Sequence, residues 1–121
     1  LPQEHKVSVH VIRQELQNSI ERASLMAKDG NTNLIKLDIQ QDNLIISSNS
    51  QLGKVREEIS MKLQGDEIQI AFNSRYLLDV LKNMEEDEVV LKMTSGISPC
   101  VIEENNNENA KYLVLPVRLM R

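Results

Sequence analysis

Few side chains in this sequence have the type and spacing that bond-breaking chemistry needs. His5 and His10 lie close together near the start, without a third ligand at a metal-binding interval, so both are read as solvent-facing. The lone cysteine, Cys100, sits in an apolar run and is expected as a small core residue. Glu85-Glu86-Asp87-Glu88 invites a cation, but a charge run between elements is ordinarily just solvated. Gly30, Gly53, Gly65 and Gly96 are isolated, so no glycine-rich stretch is available to cradle a phosphate. These residues predict a protein that is not an enzyme and that uses no metal and no cofactor.

Composition narrows the binding roles that remain. A chain of 121 residues is one domain, read as 1–121. Its 40% hydrophobic and 26% charged residues are those of an ordinary globular domain. Phe72, Tyr76 and Tyr112 are the only aromatics, so the core must be aliphatic. No apolar stretch approaches the roughly 20 residues that cross a bilayer, and no signal peptide opens the chain. A single cysteine cannot form an internal disulfide, which fits a cytoplasmic protein. The net charge of -4 and a pI of about 5.2 argue against gripping nucleic-acid phosphates by counterion release. The chain opens at Leu1-Pro2 without an initiator Met and is expected to be a piece of a longer protein.

The elements that must position any site follow from hydrophobic period. Val9, Ile12, Leu16, Ile20 and Ala23 recur at three- and four-residue steps and predict a helix over 7–27, stopped by Gly30. Leu25 points well away from that stripe. Strands are predicted over 34–39, 44–47, 55–63 and 67–72, an antiparallel meander with one wet face. Asn73 or Ser74 can cap a second helix over 75–84, with Leu77, Leu81 and Met84 inward and Arg75, Asp79 and Lys82 outward. Three strands follow, over 89–93, 100–103 and 111–119, the last two separated by an Asn105-Asn106-Asn107 loop. The order helix, four strands, helix, three strands predicts an α+β fold, two helices packed on antiparallel sheet, in two similar halves without sequence repetition.

The C-terminal segment is apolar on both strand faces. Leu113, Leu115, Val117 and Leu119 share one side; Tyr112, Val114 and Pro116 share the other. Either the strand is central and fully buried, or one side forms a partly open apolar groove. Pro116 cannot donate to a ladder and favours a strand end or edge.

Two motifs carry a resemblance that spans nearly the whole chain. Asn73-Ser74-Arg75-Tyr76-Leu77-Leu78-Asp79-Val80-Leu81 resembles a family motif in which a strand runs into a helix beginning with Tyr. Tyr112-Leu113-Val114-Leu115-Pro116-Val117-Arg118-Leu119 resembles the C-terminus of the bacterial DNA polymerase III beta subunits, the sliding-clamp family. The resemblance implies the DNA-clamp fold and the third domain of a three-domain chain. It implies a head-to-tail homodimer that encircles duplex DNA as a processivity factor in replication. It also implies a hydrophobic pocket for linear motifs of the replicative polymerase, clamp-loader and repair proteins, completed by a neighbouring domain.

By matching motif, the implied pocket residues are Tyr76, Pro99, Leu113, Leu115, Pro116, Val117 and Arg118, with Pro99 standing where a Ser is common. Leu25 and Met26 match an apolar pair at the dimer joint. Arg75 and Lys82, and less directly Arg13 and Arg22, are candidates for facing DNA; the alternative for each is an ordinary solubilising charge. The present chain alone is expected to be monomeric, with no membrane contact. The competing function is a generic protein-interaction module with an apolar edge, unrelated to replication.

Overall fold

The structure, a computed structural model, describes residues 6–29, 33–50, 53–104 and 107–118, with backbone alone for 26–29, 49–50 and 107–110. In chain order the elements are β1 (Val7–Ile12), α1 (Arg13–Asp29), β2 (Leu34–Ile39), β3 (Asn43–Ser50), β4 (Gly53–Ser60) and β5 (Lys62–Gly65). They continue as β6 (Ile68–Asn73), α2 (Ser74–Lys82), β7 (Glu88–Met93), β8 (Cys100–Glu104) and β9 (Asn107–Val114). The class is the α+β arrangement expected, two helices against antiparallel sheet, but the order differs in two places.

The first difference is that residues 7–12 form a strand, and the helix starts only at Arg13. Val7, Val9 and Val11 are buried while Ser8 and His10 are half-buried, a two-residue period in β-branched side chains that suits a pleated sheet. Leu16, Ile20 and Ala23 then form the buried helical stripe as read, and Ile12 turns outward. The second difference is a break at Met61. Pairing of β4 with β3 ends at Asn43↔Ser60, the Met61 side chain turns into the core, and pairing with β1 begins at His10↔Lys62. The segment read as one strand over 55–63 is thus two strands in different sheets.

The strands form two antiparallel sheets, ordered β5-β1-β7-β8-β9 and β4-β3-β2-β6. β1 supplies a strand beside β7, and β6 supplies one beside β2. The first half of the chain therefore runs strand, helix, four strands and the second strand, helix, three strands, and each lends its first strand to the other half's sheet, the first half adding β5 beside β1. Each half also ends alike. β4 gives way at Met61 to β5, which lies beside β1; β9 gives way at Leu115-Pro116, and Val117 bridges to Ala71 in β6.

The core between these layers is aliphatic around one aromatic, Phe72, with Leu16, Ile20, Leu37, Ile46, Ile70, Leu77 and Leu91 fully buried. α1 lies across β3 and β4 and against α2. It is fastened where the Ser48 hydroxyl donates to the Ala23 carbonyl at 2.7 Å. Gly65 ends β5 at φ 109°, and a Cβ there would fall 1.8 Å from the Lys6 carbonyl oxygen. Only glycine fits that close approach. Expectations for His5, Gly30, Asn105, Asn106 and Leu119 lie outside the described residues.

Candidate functional site: an apolar cleft beside the C-terminal strand

Helix α2 owes its start to Asn73, whose side-chain oxygen accepts from the Arg75 N–H at 2.9 Å. Its Leu77, Leu78 and Leu81 face the core. That phase leaves Tyr76 and Val80 on the flank nearest β9, four residues apart and so neighbours on the helix surface.

The C-terminal strand supplies the opposite wall. Val114 is buried and Tyr112 packs against the core, so the alternation turns Leu113 and Leu115 outward, 65% and 68% exposed. Pro116 has no N–H, regular pairing ends at Val114, and the chain is held again where the Val117 N–H donates to the Ala71 carbonyl at 2.8 Å. Of the two alternatives for this strand, the structure has the open one.

Between helix and strand lies a cleft of about 360 Å³ lined by Asn73, Tyr76, Val80, Leu113, Val114, Leu115 and Val117. Tyr76, Leu113, Leu115 and Val117 of the expected set come together there; Pro99, Pro116 and Arg118 are not among the lining. Pro99 is exposed in the turn between β7 and β8. That turn leans on β6, where Gly96 is so close that a Cβ would sit 2.5 Å from the Gln69 carbonyl oxygen. Asn73, Val80 and Val114 escaped the sequence reading, although Val80 could have been found from its i+4 spacing to Tyr76. No lining side chain is charged. The Asn73 amide and Tyr76 phenol are the polar groups in a wall otherwise made of aliphatic carbon, which suits apolar anchors of an extended ligand.

The other expected site residues lie apart from this cleft. Leu25 is 62% exposed on the last turns of α1, while the Met26 side chain is outside the described set. Arg75 and Lys82 are exposed on α2. Arg13 and Arg22 are already engaged. The Arg13 Nε donates to the Glu86 carbonyl at 2.9 Å, its own backbone N–H donates to the Asp87 carbonyl at 2.8 Å, and Arg22 pairs with Glu57 at 2.9 Å.

Chemically reactive groups are few. Burial pushes the Cys100 thiol up to about 12, against a smaller opposing effect of a backbone hydrogen bond from Lys92. Among the described residues no group of three or more His, Cys, Asp or Glu is placed to hold a metal ion. No described helix is long and apolar enough to cross a membrane.

Comparison with known proteins bears on the same segment. Residues 1–118 match the family described as DNA polymerase III beta subunit, C-terminal domain. The chain is 38% identical to the beta sliding clamp of Bacillus subtilis over 98% of its own length and 32% of that protein's. Against the beta sliding clamp of Staphylococcus aureus the identity is 32%, over 97% and 32%. The chain thus spans about a third of the length of these curated relatives. Among solved structures, the DNA polymerase III beta subunit of Thermotoga maritima superposes with a TM-score of 0.94 at 31% identity, covering 99% of this chain and 33% of that one. The Pseudomonas aeruginosa sliding clamp bound to griselimycin superposes with a TM-score of 0.90 at 27% identity, covering 98% and 32%. By sequence and by fold, this chain belongs to the DNA polymerase III beta subunit family, as its C-terminal domain.

Proposed function

We propose that this chain is the C-terminal third of a DNA sliding clamp, a non-enzymatic processivity factor that tethers polymerases to duplex DNA. In this reading residues 1–121 are one of three domains in a longer, cytoplasmic protein that closes into a head-to-tail homodimer around DNA. The cleft between Tyr76 and Leu113–Val117 is half of a docking pocket for linear motifs of the replicative polymerase, clamp-loader and repair proteins. Pro116, Arg118 and Pro99 border that pocket, and a neighbouring domain completes it.

The observation that carries the reading is the exposed apolar row of Leu113, Leu115 and Val117 facing the exposed Tyr76 across an uncharged cleft. Exposed contiguous apolar surface of this kind marks a binding site. Similarity to beta sliding clamps along the chain supports assigning that site to replication. Encirclement needs little affinity for DNA, which reconciles the role with a net charge of -4. Arg75 and Lys82 are the cations proposed to face the duplex; Arg13 and Arg22 are secondary candidates, since their guanidinium groups already have partners in the fold.

The test is capture of polymerase and clamp-loader subunits by the full-length protein, before and after Tyr76→Ala with Leu115→Ala. Capture by the parent and loss in the double variant is expected; equal capture by both overturns the assignment of the cleft. In calorimetry with a polymerase docking peptide, the isolated chain should bind far more weakly than the full-length protein, because half the pocket is missing.

A further inference from the structure

The way each half of the chain ends leaves a second cleft. Where the chain passes at Met61 from β4 to β5, the strand beside β1, a depression of about 340 Å³ opens, lined in its apolar part by Val11, Ile12 and Met61. It is the topological counterpart of the cleft beside β9: both form where a half's fourth strand leaves one sheet and rejoins the other at the strand preceding a helix. Ile12 is 40% exposed at its mouth. An isoleucine held outward at the end of a strand whose valines are all buried is a ready apolar contact for a ligand.

Its electrostatics differ from those of the first cleft and indicate what would fill it. Glu88 forms one lip and continues the acidic turn Glu85-Glu86-Asp87. Glu85, Asp87 and Glu88 are exposed, and none of these four carboxylates enters an ion pair among the described residues. Arg13, the cation beside the turn, spends its guanidinium on the Glu86 carbonyl at 2.9 Å and on Gln17 at 3.4 Å rather than on a carboxylate. The turn is also held in place, since the Glu104 carboxylate accepts from the Glu86 N–H at 2.8 Å. Lys62 lines it from β5, on the far side of β1 from Glu88, with His10 of β1 beside it. The complement is a segment with a basic residue at one end, an apolar side chain in the middle and no second basic residue toward Lys62.

We propose that this cleft is a second docking site, taking an extended peptide segment of a protein partner that seats an apolar side chain against Ile12 and Met61 and a Lys or Arg against Glu85–Glu88. It goes beyond the function proposed above and does not depend on it. The two clefts share no residue, so each can fail alone.

The probe is an acetylated, amidated Lys-Arg-Leu-Ile-Ser peptide titrated into the methyl-labelled chain and followed by NMR. Saturable shifts of the Ile12 and Met61 methyls, with Leu113 and Leu115 unmoved, are expected. Glu88→Lys should weaken binding at least fivefold, as should Glu85→Lys, a second variant at an exposed turn position in case the first disturbs β7. A peptide with both basic residues changed to Glu should not bind. The proposal is overturned if the Ile12 and Met61 methyls do not respond, if the shifts appear only at Leu113 and Leu115, or if both charge-reversed variants bind as the parent does.

Discussion

Leu115 and Cys100 sit at opposite extremes of exposure, and the difference sets what each can be asked to do. Leu115 is 68% exposed, so its truncation removes little that folding has buried. Leu115→Ala should therefore change stability by no more than about 0.5 kcal/mol. If it anchors a docked peptide, the same change should weaken binding by about 2 kcal/mol, near 30-fold, measurable by calorimetry on the full-length protein. Cys100 is wholly buried. Its thiol ionises in the unfolded chain near the ordinary 9.0 but in the folded chain only at about 12. The folded state thus holds the proton longer, and the stability tied to it is fully present below pH 9. It is lost as the pH rises from 9 toward 12, at up to about 1.4 kcal/mol per pH unit. Thermal melts from pH 8 to pH 11 should fall more steeply for the parent than for Cys100→Ala, and thiol reagents at neutral pH should modify Cys100 only on unfolding.

At the scale of elements, the hydrophobic period located both helices and most strands, because buried stripes such as Leu16-Ile20-Ala23 and Leu77-Leu81 repeat at helical spacing. It failed at β1 for a definite reason. Val9 and Ile12 extend the helical spacing backward from Leu16, while Val7, Val9 and Val11 also satisfy the two-residue strand period. Local pattern does not decide between them; the place beside β7 does. The break at Met61 was hidden in the same way, since alternation runs through it while the pairing partner changes. The cleft was half legible. Leu113, Leu115, Val117 and Tyr76 follow from the C-terminal segment and the helix motif, whereas Val114 and Asn73 line it only because of how the tail crosses to β6. Gly65 provides a sharp test at this scale. Gly65→Ala places a methyl against the Lys6 carbonyl at a backbone angle that other residues rarely adopt. It should cost more than about 2 kcal/mol in denaturant unfolding, with β5 losing amide protection against hydrogen exchange first. Asn73→Ala, which removes the cap of α2, should cost about 1 kcal/mol.

For the whole molecule, the proposed ring places demands on surfaces that the isolated domain leaves open. Leu25 lies exposed on α1. With Met26 it is the proposed apolar part of the dimer joint. Leu25→Ala with Met26→Ala in the full-length protein should sediment as a monomer; a persisting dimer would count against that assignment.

The exchange of first strands between the halves constrains how the chain can be divided. Neither half is a self-sufficient unit, because each sheet lacks a strand until the other half arrives: β2-β3-β4 lacks β6, which covers the edge of β2, and β7-β8-β9 lacks β1, which joins β5 to β7. The two segments are thus interlocked in the manner of a split reporter. Cleavage between Asp66 and Glu67, both exposed, would yield one peptide bearing β1 to β5 and another bearing β6 to β9. Each should remain largely unfolded alone, and mixing them should restore the native circular dichroism spectrum with a one-to-one stoichiometry. The handover that makes the fold look like two repeats is what prevents either repeat from existing by itself.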